Sequence, residues 1–182
     1  MSGMQAPRTI ALPEPSLVVL IGAAGSGKST LARRLFEPDE ILSSDAFRAV
    51  VSGDEADQGA TRAAFALLHR ELERRLAHGR TTVVDATNVT PFARRGLLDR
   101  AARHGIPAVA IALDLDPAIV LERNARRTGR VVPEAAVRRH LAELARSLLP
   151  GVLEAEGFAA VHRLDAADLD RATVRGGPEL EP

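Results

Sequence analysis

The segment Gly22-Ala23-Ala24-Gly25-Ser26-Gly27-Lys28-Ser29-Thr30 constrains this chain more than any other, because of what stands on either side of it. An apolar run, 17–21, precedes it, and an amphipathic stretch, 28–36, follows. Glycines at that spacing between a strand and a helix let successive backbone N–H groups turn inward around a polyphosphate, and the helix start adds its own uncompensated N–H groups. In this pattern Gly22, Gly25, Ser26 and Gly27 form the cradle and Lys28 supplies positive charge. The Ser29 hydroxyl is placed to ligate Mg²⁺, and Thr30 closes the nucleotide-binding run. Such a phosphate-binding loop, or P-loop, implies a nucleoside triphosphate ligand held by an α/β fold.

The rest of the sequence alternates in the way such a fold requires. Apolar or β-branched runs at 17–21, 40–43, 81–84, 108–113 and 159–164 read as strands. Helical patterns fill 28–36, 58–78, 91–104, 117–127 and 133–149, several with proline in the first turn. The expectation is a P-loop NTPase or kinase fold, α/β and doubly wound, with a five-stranded parallel sheet and helices on both faces. Residues 1–15 read as an N-terminal leader, 16–172 as one domain, and 173–182 as a tail or linker. The absence of Cys from all 182 residues excludes disulfides and Cys-ligated zinc. No apolar run is long enough to span a bilayer, and no secretory pattern opens the chain, so a cytoplasmic protein without a membrane partner is expected. Twenty-four basic residues balance 24 acidic ones, which excludes attraction of nucleic acid by bulk charge. A polyanion must be held locally.

Three further segments carry chemistry. In Ser43-Ser44-Asp45-Ala46-Phe47-Arg48, Asp45 stands where the second of these strands should end, the edge at which open parallel sheets bind ligands. It suits a base accepting the proton of an attacking hydroxyl and equally suits a helix N-cap. If a helix begins there, Arg48 shares a face with it. Phe47 reads as a core residue or a contact for a terminal nucleoside. In Thr82-Val83-Val84-Asp85-Ala86-Thr87-Asn88, an apolar strand ends in Asp85, the Walker-B arrangement that orients Mg²⁺ or its bound water. Asn88 reads better as turn chemistry. Lastly Arg123, Arg127 and Arg130 are spaced to project to one side as an arginine lid over a phosphoryl group, with a solvated helix face as the alternative.

Together GAAGSGKST, SSDAFRAVVSGDEADQ, TVVDATN and ERNARRTGR resemble the 5′-OH polynucleotide kinase domain of bacterial polynucleotide kinase-phosphatases of the RNA-repair type, over about residues 16–165. The resemblance implies Mg²⁺-dependent transfer of the γ-phosphate of ATP or GTP to a 5′-OH end of RNA or DNA. It implies Lys28 on the phosphates, Ser29 on Mg²⁺, Asp45 as general base, Arg48 on the acceptor phosphodiester, and Arg123 and Arg127 acting from the lid. Gln58 would touch the acceptor end. In that family a phosphatase and a ligase-like module usually follow; neither fits within 182 residues, so a fused or separate partner would carry them. The alternatives are a small-molecule P-loop kinase of the gluconate or shikimate sort, and a nucleotide-sensing domain without turnover.

Overall fold

A strand made wholly of large apolar residues is stable only with both faces covered, and Leu17–Ile21 is such a strand, with all of its residues fully buried. The computed structural model describes residues 7–52, 61–128 and 131–177. In chain order the elements are β1 (Arg8–Pro13), β2 (Leu17–Ile21), α1 (Lys28–Leu35), β3 (Ile41–Ser43), α2 (Ser44–Ser52), α3 (Thr61–Ala77), β4 (Thr82–Asp85), α4 (Pro91–Arg103), β5 (Ala108–Leu113), α5 (Pro117–Ala125), α6 (Glu134–Ser147), α7 (Val152–Glu156), β6 (Ala160–Leu164), α8 (Ala166–Arg171) and β7 (Ala172–Gly177).

Five strands form one parallel sheet in the order β3-β4-β2-β5-β6, as the alternation of apolar runs implies. Successive side chains of a strand point to opposite faces. Leu17, Val19 and Ile21 therefore join Ala108, Ala110 and Ala112 under α3, α4 and α6, where Leu68, Leu72, Leu97 and Leu144 close one core. Val18 and Leu20 join Val109, Ile111 and Leu113 in a second core with Leu31 of α1 and Val120 of α5. The alanine stripe of β5 leaves room on the first face for three helices to reach the sheet.

Two expectations need correction. Residues 8–13, read within a loose leader, form β1, and residues 172–177, read largely as tail, form β7; the two pair in parallel from Arg8↔Ala172 to Pro13↔Gly177. Ile10, Leu12 and Ala172 are buried in the second core. The alternation of Thr9, Ile10, Ala11 and Leu12 is the signal that was there to read. The short helices α7 and α8 were also not anticipated, being shorter than a reliable helical period. Phe47 packs against the first core rather than standing in the site.

No helix among the described residues is long and apolar enough to cross a membrane.

Candidate active site

The carboxyl ends of β2, β3 and β4 and the first turns of α1 and α2 converge on a cleft of about 810 Å³, lined by Gly25, Lys28, Ser29, Asp45, Arg48 and Asp85 and capped by Arg123 and Arg127. Residues as distant in the sequence as Gly25 and Arg127 meet there because parallel strands all present the same end.

The phosphate-binding loop has the backbone its glycines permit. Gly25 has φ of 87° and Gly27 of 98°, a region that disfavours any side chain. A Cβ on Gly25 would also sit 2.9 Å from the Val120 carbonyl and 3.0 Å from Asn124 Cβ, so the loop and α5 touch at this point. Gly27 caps α1 without a side-chain hydrogen bond, which leaves the first N–H groups of the helix aimed at the cleft. Lys28 is buried, and its Nζ donates to the carbonyls of Gly22 and Ala23, both at 2.8 Å. Burial drives its pKa down to about 8; Asp85 pulls it back up and Arg127 pushes it further down. A cation held this way lacks a full anionic partner, and a polyphosphate would supply one.

Asp45 lies within the first turn of α2, one place past its first residue. The capping role falls to Ser43, whose Oγ accepts from Ala46 N at 3.4 Å, so the N-cap reading of Asp45 does not hold. Asp45 and Arg48 form an ion pair, as their spacing implied. Asp45 keeps 40% of its side chain exposed and Arg48 only 7%, so the carboxylate is the more open member of a pair that lines the cleft with both side chains.

Asp85 ends β4 directly opposite Ser43 of β3, is buried, and lies close enough to Lys28 to act on its charge. Asn88 is turn chemistry: its φ is 48°, and its Nδ2 donates to Leu20 O at 2.9 Å, stapling the end of β4 to β2.

The lid is part helix and part loop. Arg123 belongs to α5 and approaches Gly27, whereas Arg127 lies beyond the helix end and still reaches the same cleft. Arg126 pairs with Glu122 at 2.8 Å on the solvent side, so that member of the basic run is the solvated one. Arg130 and Gln58 lie outside the described residues. Two features escaped sequence reading. Buried Asn124 donates to Val132 O at 2.8 Å and accepts from Val132 N at 3.2 Å, closing the lid segment at its base. Fully buried Arg94 bonds Glu156 through Nε at 2.7 Å, Asn88 O through Nη1 at 2.8 Å and Ser147 Oγ through Nη2 at 3.1 Å. Ser147 Oγ in turn donates to Val89 O at 2.9 Å, so residues 88–89 of the cleft wall are held from behind by α4, α6 and α7. A single Asn and a single Arg among many give no sequence signal for such roles.

The family model described as an AAA domain, AAA_33, matches residues 17–149, which include every site segment above. The chain belongs to the AAA_33 family. No curated protein matches the sequence. Among solved structures, a chain of the Pnkp1/Rnl/Hen1 RNA repair complex is similar at a TM-score of 0.63 and 19% identity, over 80% of this chain and 47% of that one. The AAA_33 chain thus spans about half the length of that relative. A gluconokinase from Sinorhizobium meliloti 1021 is similar at a TM-score of 0.57 and 21% identity, over 86% of this chain and 85% of that one. Kti12 from Chaetomium thermophilum, in complex with ADP-AlF3, is similar at a TM-score of 0.57 and 19% identity, over 85% and 93%. At these identities the likenesses establish a P-loop kinase fold.

Proposed function

We propose that this AAA_33 domain transfers the γ-phosphate of ATP or GTP to the 5′-OH end of RNA or DNA. The observation that carries the reading is the Asp45–Arg48 pair, placed beside the phosphate cradle with its carboxylate exposed to the cleft. Asp45 takes the proton of the 5′-hydroxyl as its oxygen bonds to the γ-phosphorus, and the bridge to the β-phosphate breaks to leave a nucleoside diphosphate. Lys28 and the N–H groups at the start of α1 hold the phosphates, and Arg123 and Arg127 meet the charge spreading over the group in transit.

The site fits Mg²⁺ of the kind that borrows ligands from a substrate. No group of three or more His, Asp or Glu able to hold a metal is present among the described residues, while the Ser29 hydroxyl and Asp85 stand at the cradle. Those two would hold the ion or its water, and it would neutralise charge on the phosphate oxygens.

A guanidinium has five N–H donors, so Arg48 can serve Asp45 and a phosphodiester together. Acceptors with a 5′-OH and one internal phosphodiester are therefore expected to outperform nucleosides and sugars in a γ-phosphate transfer assay, and Arg48→Ala should erase most of that advantage. Neutral overall charge predicts a shallow salt dependence for short acceptors, about two or three released counterions. Efficient phosphorylation of gluconate with none of a 5′-OH oligonucleotide would install the second reading, a small-molecule kinase, which near-complete mutual coverage with the gluconokinase favours.

The lowered pKa of Lys28 gives a separate expectation. Below about 8 the ammonium is charged in the free protein and binds phosphate directly; above it, nucleotide binding must first restore the proton. Nucleotide affinity should therefore fall as pH rises from about 8 toward 10, with proton uptake on binding. Calorimetry at pH near 8.5 in buffers of different ionisation enthalpy measures that uptake, which Lys28→Ala should abolish. Binding without proton uptake in the unmodified protein would contradict it.

A further inference from the structure

Beyond the cleft, a second groove runs between α3 and α4. The two meet at Phe65, which lines both. On α3 the stripe Phe65, His69, Glu73 faces the groove, and on α4 the stripe is Gly96, Arg100, Arg103. Gly96 permits the close approach, since a Cβ there would stand 3.2 Å from the His69 ring and 3.3 Å from Arg100 Nη1. Arg70 and Arg74 add to the α3 side.

The charge balance of this groove departs from that of the chain. Arg70, Arg74, Arg100 and Arg103 line it with Glu73, in a sequence whose net charge is zero. Arg74 is held by Glu71, through Nε at 2.8 Å and Nη2 at 2.7 Å, which leaves Arg70, Arg100 and Arg103 with Glu73 between them. Glu73 is shared among Arg103 at 2.9 Å, His104 at 2.8 Å and Arg100 at 3.5 Å, so one carboxylate serves three cationic or hydrogen-bonding groups. One buried polar atom on the groove, His69 Nδ1, lacks a hydrogen-bond partner among the described residues, and Arg100 Nε faces Glu73 Oε2 at 3.5 Å without closing a hydrogen bond. Guanidinium groups in excess of the carboxylates beside them suit a ligand that carries anionic oxygens. Apolar surface lies alongside: Phe65 and His69 pack with ring centroids 6.4 Å apart, and Phe92, one turn before Gly96 on α4, is 90% exposed. Arginines interleaved with aromatic rings suit a single strand, which offers a phosphate at every link and a flat base between. The 17 residues of α3 span about 25 Å, several nucleotides' length.

From this arrangement we infer that the α3–α4 groove binds the acceptor strand downstream of its reacting end, as single-stranded polynucleotide. The inference rests on the polynucleotide reading of the active site and adds where the body of the strand lies. Its consequence is length-dependent affinity. A 5′-OH dinucleotide fills the cleft alone, whereas a 12-mer continues past Phe65 into the groove.

The test compares the two acceptors with the full chain and with a double variant, Arg70→Ala and Arg103→Ala, at two exposed positions remote from the reacting groups. The expected result is a lower KM for the 12-mer than for the dinucleotide in the unmodified protein. In the double variant the two KM values should converge while dinucleotide turnover stays unchanged. Removing two phosphate contacts should also flatten the salt slope for the 12-mer by about 1.4 log units per log unit of salt. Between 50 and 200 mM salt the unmodified protein should then lose roughly sevenfold more 12-mer affinity than the variant. Equal KM for both acceptors, or a 12-mer KM that the variant leaves untouched, would overturn the inference while sparing the kinase reading. Displacement of the 12-mer from the groove by poly-glutamate at equal charge concentration would also overturn it, in favour of an acidic protein. If no oligonucleotide is phosphorylated, the kinase reading fails, and fluorescence anisotropy of the 12-mer still judges the groove: Arg70- and Arg103-dependent binding upholds it and variant-independent binding overturns it.

Discussion

Lys28→Ala is expected to abolish phosphoryl transfer without unfolding the chain. Among the described residues the lysine bonds the carbonyls of Gly22 and Ala23, both at 2.8 Å, and Ser26 Oγ at 3.5 Å, all in the loop and none in a strand of the sheet. Its removal also relieves the cost of a buried cation, and thermal stability should hold or rise. What is lost is the charge set against the phosphates at the loop itself, in a cleft that Arg123 and Arg127 line from the lid. Transfer measured with γ-labelled donor should fall below detection while circular dichroism keeps its melting profile. Turnover near the unmodified rate would show that backbone N–H groups and the lid suffice, and would remove Lys28 from the mechanism.

The second large effect is expected at Asp45. Asp45→Asn keeps the shape of the side chain and removes its capacity to take a proton, so the rate should drop about a hundredfold or more with donor affinity nearly intact. Because Ser43 rather than Asp45 caps α2, the helix should not weaken with the substitution. The exchange also releases Arg48 from its carboxylate, and a rise in acceptor KM accompanying the fall in kcat would report that change. A large loss of folding stability with the rate per folded molecule preserved would return Asp45 to a structural role.

The sheet was legible because its strands are buried on both faces and therefore written in unbroken apolar runs, as in Leu17–Ile21 and Ala108–Leu113. The site was legible for a related reason. Phosphate chemistry needs glycine at positive φ followed by lysine at a helix start, and few other sequences meet that demand. What escaped is what side chains do at a distance. Asn124 holding Val132, and Arg94 holding residues 88–89 from behind, act through pairings that span from six to 62 positions and leave no local pattern. The groove between α3 and α4 was hidden in the same way. Its arginines come from two helices, and in the sequence they look like solvated faces. The β1–β7 pair was misjudged because glycine and proline around its strands resemble linker composition.

Strand order carries a consequence for the time course of folding. Strand β2 is made first among the five, yet it occupies the centre, and its partners begin at Thr82 and Ala108. During synthesis the phosphate-binding loop therefore emerges on a strand with nothing to pair against, and waits for more than 80 residues before both of its edges are covered. The loop's conformation depends on that cover, since Gly22 N bonds Thr87 O at 3.1 Å and Gly25 rests against α5. A nucleotide consequently cannot act as a template early in folding; it can only reward a nearly finished chain. Until then the apolar face of β2 is the segment most in need of protection on the nascent chain.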